Sequence, residues 1–345
     1  MVKIQDQLID WYQKNKRDLP WRHSQSAYHI WLSEIIMQQT QVIQGTKYYL
    51  KFINTYNTII DLANAPEDEI LSHWQGLGYY SRARNLHYTA QYIRDNYDGV
   101  FPNNYSDILD LKGVGKYTAA AISTFAFNKP YPLVDGNVYR LYSRIFDIHT
   151  EINSTQGQKE FSVLAENLLS EIDVKSAIIY NQAIMEYGAL VCKPKSPLCD
   201  DCTIQNQCIS NSKNNHLTLP KKKKNKPKRN RVLHYFFLYN EEGFWINKRS
   251  EKDIWIGLYQ LPLIESLSDA SINYESLSYL KTSDIENDVY VTKHVLSHQN
   301  LEVHFHKQYI SKNNPVKGNV FIPYDEVHTI GFPQVIFNFL NKEIK

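Results

Sequence analysis

Only four cysteines occur in the 345 residues, and all lie between Cys192 and Cys208. Bridges spread along the chain are thereby excluded, and such crowding without an export signal argues for a metal site over disulfides. No apolar run approaches the ~18 residues of a membrane span. The opening residues, broken by Lys3, Asp6, Asp10 and Lys14, lack the apolar core of a signal peptide. Both absences predict a soluble cytoplasmic protein without membrane attachment. Excess charge of one sign is missing too. With 38 Lys and Arg against 36 Asp and Glu, the net charge is +2, so affinity for a polyanion must come from local clustering. No internal repeat is visible, which removes repeat architectures.

What remains is a chain long enough for two domains, with 43% hydrophobic residues to build their cores. Ile4, Leu8, Trp11 and Tyr12 share a helical stripe, and a turn with Arg17, Trp21 and Arg22 follows. Ser24 and Ser26 are placed to cap one long helix reaching about Gln44, with Glu34 inside it. Gly76 and Gly78 break the chain before Tyr79, and Ser81 starts a helix to about Tyr97. Residues 1 to about 190 read as nearly all helix. Residues 213–231 hold nine Lys or Arg, no acidic residue, and Pro220 and Pro227, the composition of an extended basic linker. A solubilising role and a phosphate-contacting role fit it equally. From Val232 the pattern turns to strands, at Val232–Tyr239, Phe244–Lys248 and Leu301–His306, with helices near Ser268–Leu280 and Gln334–Asn341. The expected division is a helical domain over 1–212, a linker over 213–231 and an α+β domain over 232–345.

Leu109 to Arg144 is the stretch richest in chemistry. A short helix, a Gly113-Val114-Gly115 turn and a helix from about Tyr117 leave outward-pointing N–H groups flanked by Lys112 and Lys116, a ready phosphate site. Asp135, before Gly136-Asn137, stands where a helix N-cap belongs. Most such turns and caps are only turns and caps. Glu34, among Trp31, Ile35 and Ile36, would be partly desolvated and so able to hold a proton, whereas Asp135 is expected to stay ionised. Two carboxyl groups so separated suit protonation of a leaving group and stabilisation of a cationic sugar. The cysteines run Cys192-x6-Cys199-x2-Cys202-x5-Cys208, and four thiolates suit either zinc or an iron–sulfur cluster.

Taken together, these motifs resemble the MutY-type adenine DNA glycosylases, of the helix-hairpin-helix–Gly/Pro–Asp superfamily, over essentially the whole chain. The resemblance implies an all-α helix-hairpin-helix core with an iron–sulfur loop, followed by a Nudix-like C-terminal domain. It implies a [4Fe–4S] cluster, one per chain, on Cys192, Cys199, Cys202 and Cys208. It makes Glu34 the acid that protonates adenine and Asp135 the group that stabilises the sugar cation, with Tyr117 and Asn137 assisting. Endonuclease III-type relatives carry a Schiff-base lysine at the place of Tyr117, and a phenol cannot form that adduct, so hydrolysis without strand cleavage is implied. Arg17, Trp21, Arg22 and Gln182 match adenine-pocket positions, and Gln39 and Tyr79 match residues inserted into the base stack. Lys112, Gly113, Gly115 and Lys116 are the expected phosphate contacts.

Trp255 to Pro262 is similar to the early strand of the family's lesion-reading domain, while the Glu-rich metal box of Nudix hydrolases is missing. Leu296, Ser297 and His298 fall in the loop that reads 8-oxoguanine, with Leu296 where the family carries phenylalanine. The implied partner is double-stranded DNA bearing 8-oxoguanine:adenine or guanine:adenine mispairs, bound by a monomer in the nucleoid. The rival readings are a bifunctional pyrimidine-damage glycosylase and a helix-hairpin-helix scaffold without chemistry.

Overall fold

The computed structural model describes residues 3–224, 227–250, 253–266, 285–286, 288–311 and 316–344. The helix expected near Ser268–Leu280 lies outside them. Backbone contacts group residues 1–63 with 88–224 as one compact unit, and residues 64–87 with 225–345 as a second. No helix among the described residues is long and apolar enough to cross a membrane.

The first unit is built from helices. They are α1 (Ile4–Asn15), α2 (Ala27–Met37), α3 (Val42–Thr55) and most of α4 (Ile59–Asn64), then α7 (Tyr105–Leu109), α8 (Lys116–Phe127), α9 (Gly136–Ile145), α10 (Thr155–Ser170), α11 (Val174–Leu190) and α12 (Ile209–Ser212). The helices α5 (Glu67–His73) and the start of α6 (Ser81–Tyr97) fall within the second grouping. Leu8 and Tyr12 of α1 pack with Leu141 and Tyr142 of α9, Phe161 of α10, and Tyr180 and Ala183 of α11 in one buried core. The run Ala119-Ala120-Ala121 favours helix and is almost fully buried in α8, which packs against α2. Asn128 then ends α8 in the left-handed region, returning its N–H to the Ser123 carbonyl.

One expected helix is two. The helix expected to run from the Ser24 and Ser26 caps to about Gln44 is interrupted: α2 stops at Met37 and α3 starts at Val42. Gln39 lies between them with φ 55°, a left-handed conformation that periodicity does not report.

The second unit holds a mixed sheet in the order β3-β2-β1-β6-β5, with β4 also on β1 and β7 on β2. Its strands are β1 (Arg229–Tyr239), β2 (Gly243–Lys248), β3 (Tyr259–Gln260), β4 (Leu263–Ser266), β5 (Tyr290–Val295), β6 (Gln299–Tyr309) and β7 (Val320–Pro323). Strands β1 and β6 run parallel over their full length, from Arg229↔Gln299 to Tyr239↔Tyr309. One face buries Leu233, Tyr235, Phe237, Val303 and Phe305 against α13 (Gln334–Glu343), which supplies Ile336, Phe339 and Leu340.

Two linker and strand expectations need correction. The basic segment is not free throughout: the Ile152 N–H donates to the Lys221 carbonyl, and Asn153 exchanges hydrogen bonds with Lys223. Arg231 belongs to β1, is 6% exposed, and is held by Asp253 at 2.7 Å and Glu265 at 2.5 Å. It is therefore spoken for internally and is not a phosphate contact. In the Trp255–Pro262 stretch only Tyr259–Gln260 is strand, because Trp255 and Gly257 adopt φ values of 64° and 84° in the turn before it.

Candidate active site

Asp135 is a real N-cap. Its Oδ1 accepts the N–H groups of Asn137 at 2.9 Å and Val138 at 2.8 Å, and the Asn137 amide donates to Oδ2 at 2.7 Å. These bonds fix the carboxylate at the start of α9, where the helix dipole favours negative charge. Burial nonetheless raises its pKa above the ordinary value, against the opposing pull of the Val138 and Asn137 hydrogen bonds and of Arg140. Asp135, expected to stay ionised, therefore carries a pKa shifted up rather than down. Desolvation outweighs the cap.

Glu34 shows the larger effect. Its pKa is pushed up to about 7, first by burial and then by the charge of Asp135, while a hydrogen bond with the Tyr117 hydroxyl draws it down. The residue surface is partly open because it faces a cavity, while the carboxyl group itself is enclosed. Tyr117 is kept a neutral phenol by burial and by both carboxylates, and its hydroxyl also reaches Met185 Sδ at 3.2 Å. Two acids and a phenol are therefore brought together from α2, α8 and the α9 cap. The sequence could propose each but not their meeting.

A cavity of about 220 Å³ opens beside Glu34, lined by Trp21, Arg22, Ser33, Phe125, Gln182 and Met185 among others. Three of the four expected base-pocket residues are there. Arg17 is not among the lining residues. Its backbone N–H and guanidinium instead clamp Glu186 at 2.8–2.9 Å. Arg22 holds the same carboxylate at 2.8 Å. Burial would raise the Glu186 pKa, but these two arginines hold it down to about 2. Glu186 was missed in the sequence, although its i, i+4 spacing from Gln182 on α11 puts both on one helix face. Gln182 itself is engaged by the Tyr12 hydroxyl, which donates to its Oε1.

Residues 32–167 match the HhH-GPD superfamily of base excision DNA repair proteins, and residues 234–342 match the NUDIX domain. An adenine DNA glycosylase of Buchnera aphidicola from Baizongia pistaciae is 32% identical, over 97% of this chain and 95% of its own. The chain belongs to the adenine DNA glycosylase family. The human adenine DNA glycosylase is 39% identical over 58% of this chain and 38% of its own. Among solved structures, a thermostable thymine-DNA glycosylase superposes with a TM-score of 0.56 at 31% identity, covering 61% of this chain and 95% of that one. An endonuclease III–DNA complex, at 20% identity and a TM-score of 0.53, shares the fold over 62% of this chain and 99% of its own.

The remaining residues of this family member fall into three places. Lys112, Gly113, Gly115 and Lys116 are all exposed at the hairpin before α8, with Val114 buried beneath. Gly113 takes φ 83°, which a side chain would strain. The Lys112 ammonium lies 4.1 Å from the Tyr88 ring centre, and its carbonyl accepts from Thr89.

The four cysteines form no disulfide and line one cavity with Leu141, Arg144 and Ile204. Among the described residues, no group of three or more His, Cys, Asp or Glu is arranged to hold a single metal ion. Arg144, 2% exposed, donates to Cys192 Sγ at 3.3 Å and to the carbonyls of Lys193, Pro194 and His216, and the Tyr187 hydroxyl lies 3.2 Å from Cys202 Sγ. Arg140 ties this loop to the active site, donating to the Cys192 carbonyl at 2.6 Å and to Asn137 Oδ1 at 2.9 Å. Gly188 is needed there, since a Cβ would come within 2.8 Å of the Asn137 side chain and 3.0 Å of its carbonyl.

Tyr79, 46% exposed at φ 48°, lines a second cavity of about 300 Å³, within the second unit. Trp255, Leu296, Ser297 and His298 line it as well, so the expected stacking residue and the expected lesion loop share one space. Ser297 Oγ and His298 Nδ1 are 3.2 Å apart, and Leu296 packs partly onto the sheet core. Gln39 is exposed at its left-handed turn in the first unit.

Proposed function

We propose that the protein hydrolyses the N-glycosidic bond of adenine in double-stranded DNA. Its preferred substrate is adenine opposite 8-oxoguanine, with adenine opposite guanine less favoured. The observation that carries this reading is Glu34, its carboxyl pushed up to about pKa 7 by burial and then by Asp135, beside a cavity that Trp21, Arg22 and Gln182 also line. A protonated Glu34 can deliver its proton to a purine ring nitrogen, turning the base into a neutral leaving group. The departing bond leaves positive charge on the sugar, which Asp135 answers from a site already ordered by Asn137 and Val138. Such preorganised charge is worth roughly 10²–10³ in rate. Tyr117 orients Glu34 and supplies no amine, so water rather than a lysine adds to the sugar carbon as adenine leaves, giving up a proton, and the abasic strand is left intact.

The four thiols fit a [4Fe–4S] cluster by donor type and by convergence on one cavity. A cluster bound there would cross-link the loop that Arg140 and Arg144 tie to α9. The cavity holding Tyr79, Ser297 and His298 fits a reader of the opposite base. The hydroxyl and imidazole can meet the N7–H and O8 that distinguish 8-oxoguanine from guanine.

The test is a duplex with one 8-oxoguanine:adenine pair, analysed with and without alkali. The reading requires a strand break at the adenine only after alkali. A break without alkali means lyase chemistry, and no break under either condition means no base removal.

A further inference from the structure

We propose that Tyr12 is a positioning residue that anchors the Gln182 side chain at the wall of the base cavity, with its NH2 end turned to the cavity. The inference rests on the reading of that cavity as the adenine site. Tyr12 sits on α1 with its ring in the helical core, 4% exposed, and its hydroxyl reaches Gln182 on the cavity wall. That hydroxyl donates to Gln182 Oε1. Burial is the main influence on the phenol and raises its pKa, so it stays a donor across the working pH range.

The consequence falls on Gln182. A glutamine amide offers an acceptor at one end and two donors at the other, and free rotation would let it present either. With Oε1 occupied by Tyr12, the NH2 end is left for the cavity that Gln182 lines. Arg22, the other long polar arm, has donors only and is held by Glu186 at 2.8 Å, with its guanidinium 5.5 Å from the Tyr12 ring centre. The Arg22 N–H groups go to Glu186 and the Arg17 carbonyl, so the donor turned to the cavity is the Gln182 NH2. A base with ring-nitrogen acceptors on its edge, as in adenine, is matched, and one presenting N–H there is not. Tyr12 acts on the base only through Gln182.

The experiment is a double-mutant cycle on the full-length protein. Single-turnover adenine release is measured for wild type, Tyr12→Phe, Gln182→Leu and the double variant, each normalised to active enzyme by burst amplitude. Phenylalanine keeps the ring packing, so the thermal midpoint and duplex affinity should stay near wild type. Tyr12→Phe should slow release roughly two- to tenfold, the worth of one hydrogen bond. In the Gln182→Leu background the same change should have no further effect, because there is no amide left to orient. If the two changes multiply, or if Tyr12→Phe is silent while Gln182→Leu is not, Tyr12 does not act through Gln182 and the proposal is overturned. If Gln182→Leu itself leaves the rate unchanged, the placement of adenine in this cavity falls, and this inference with it.

Discussion

Base removal should decline as pH rises through about 7, since Glu34 must carry a proton to give one away. The sign follows from burial. Desolvation and the nearby Asp135 charge keep the carboxyl protonated to higher pH, and above its pKa it is a carboxylate with nothing to donate. With a pKa of about 7, roughly half the enzyme is competent at pH 7, about a tenth at pH 8 and about a hundredth at pH 9. An ordinary carboxyl at 4.5 would be only about 0.3% protonated at pH 7, so the site gains roughly two orders of magnitude in competent enzyme at neutrality. The assay is single-turnover adenine release from pH 5 to 9 at saturating enzyme. The rate constant should drop roughly fivefold from pH 7 to 8 and tenfold from pH 8 to 9. Tyr117→Phe removes the hydrogen bond that draws the Glu34 pKa down, so the falling limb should move to higher pH. Weakening the Asp135 charge should move it the other way. A limb that ignores Tyr117→Phe, or that survives in Glu34→Gln, would refute the assignment of Glu34 as the titrating acid.

Asp135→Asn keeps an oxygen for the Val138 and Asn137 N–H groups but loses the charge, so single-turnover release should fall about 100-fold or more with duplex affinity near wild type. The purified protein should be brown and carry about four irons per chain. Cys199→Ser should cut soluble yield more than it changes the rate of the enzyme that folds, as iron analysis and active-site titration will show. Ser297→Ala combined with His298→Ala should reduce the preference for 8-oxoguanine:adenine over guanine:adenine by roughly five- to a hundredfold, the worth of two hydrogen bonds, read as a ratio of rates. That loop variant is a cleaner probe than a chain cut after Ser212, which would strip Arg144 of the His216 and Leu219 carbonyls it donates to.

Much of the helical unit was legible because its signals are local. The Asp135 cap, the Gly113 turn, the apolar stripe of α1 and the start of α6 at Ser81 each follow from a few neighbouring residues. Glu34 was readable as a desolvated acid from the apolar residues beside it. What escaped depends on distant partners or on backbone angles. Glu186 meets Arg17 across 169 residues of sequence, and Tyr12 meets Gln182 across 170. Nothing in α1 alone says that its tyrosine hydroxyl will find an amide on α11. Arg231 read as one more charge in a basic run, because Asp253 and Glu265 that neutralise it lie further along the chain. The breaks at Gln39 and Trp255 were hidden because neither residue type signals a positive φ.

Glu34→Gln, compared with wild type for the release of free adenine from an 8-oxoguanine:adenine duplex, tests the central claim most directly. Glutamine keeps the shape of the side chain and removes the donatable proton. The account predicts that wild type liberates one adenine per active site, while Glu34→Gln binds the same duplex with similar affinity and releases adenine at least about 100-fold more slowly, beyond ~2.7 kcal/mol of barrier. Release by Glu34→Gln within about tenfold of wild type, ~1.4 kcal/mol, would contradict it.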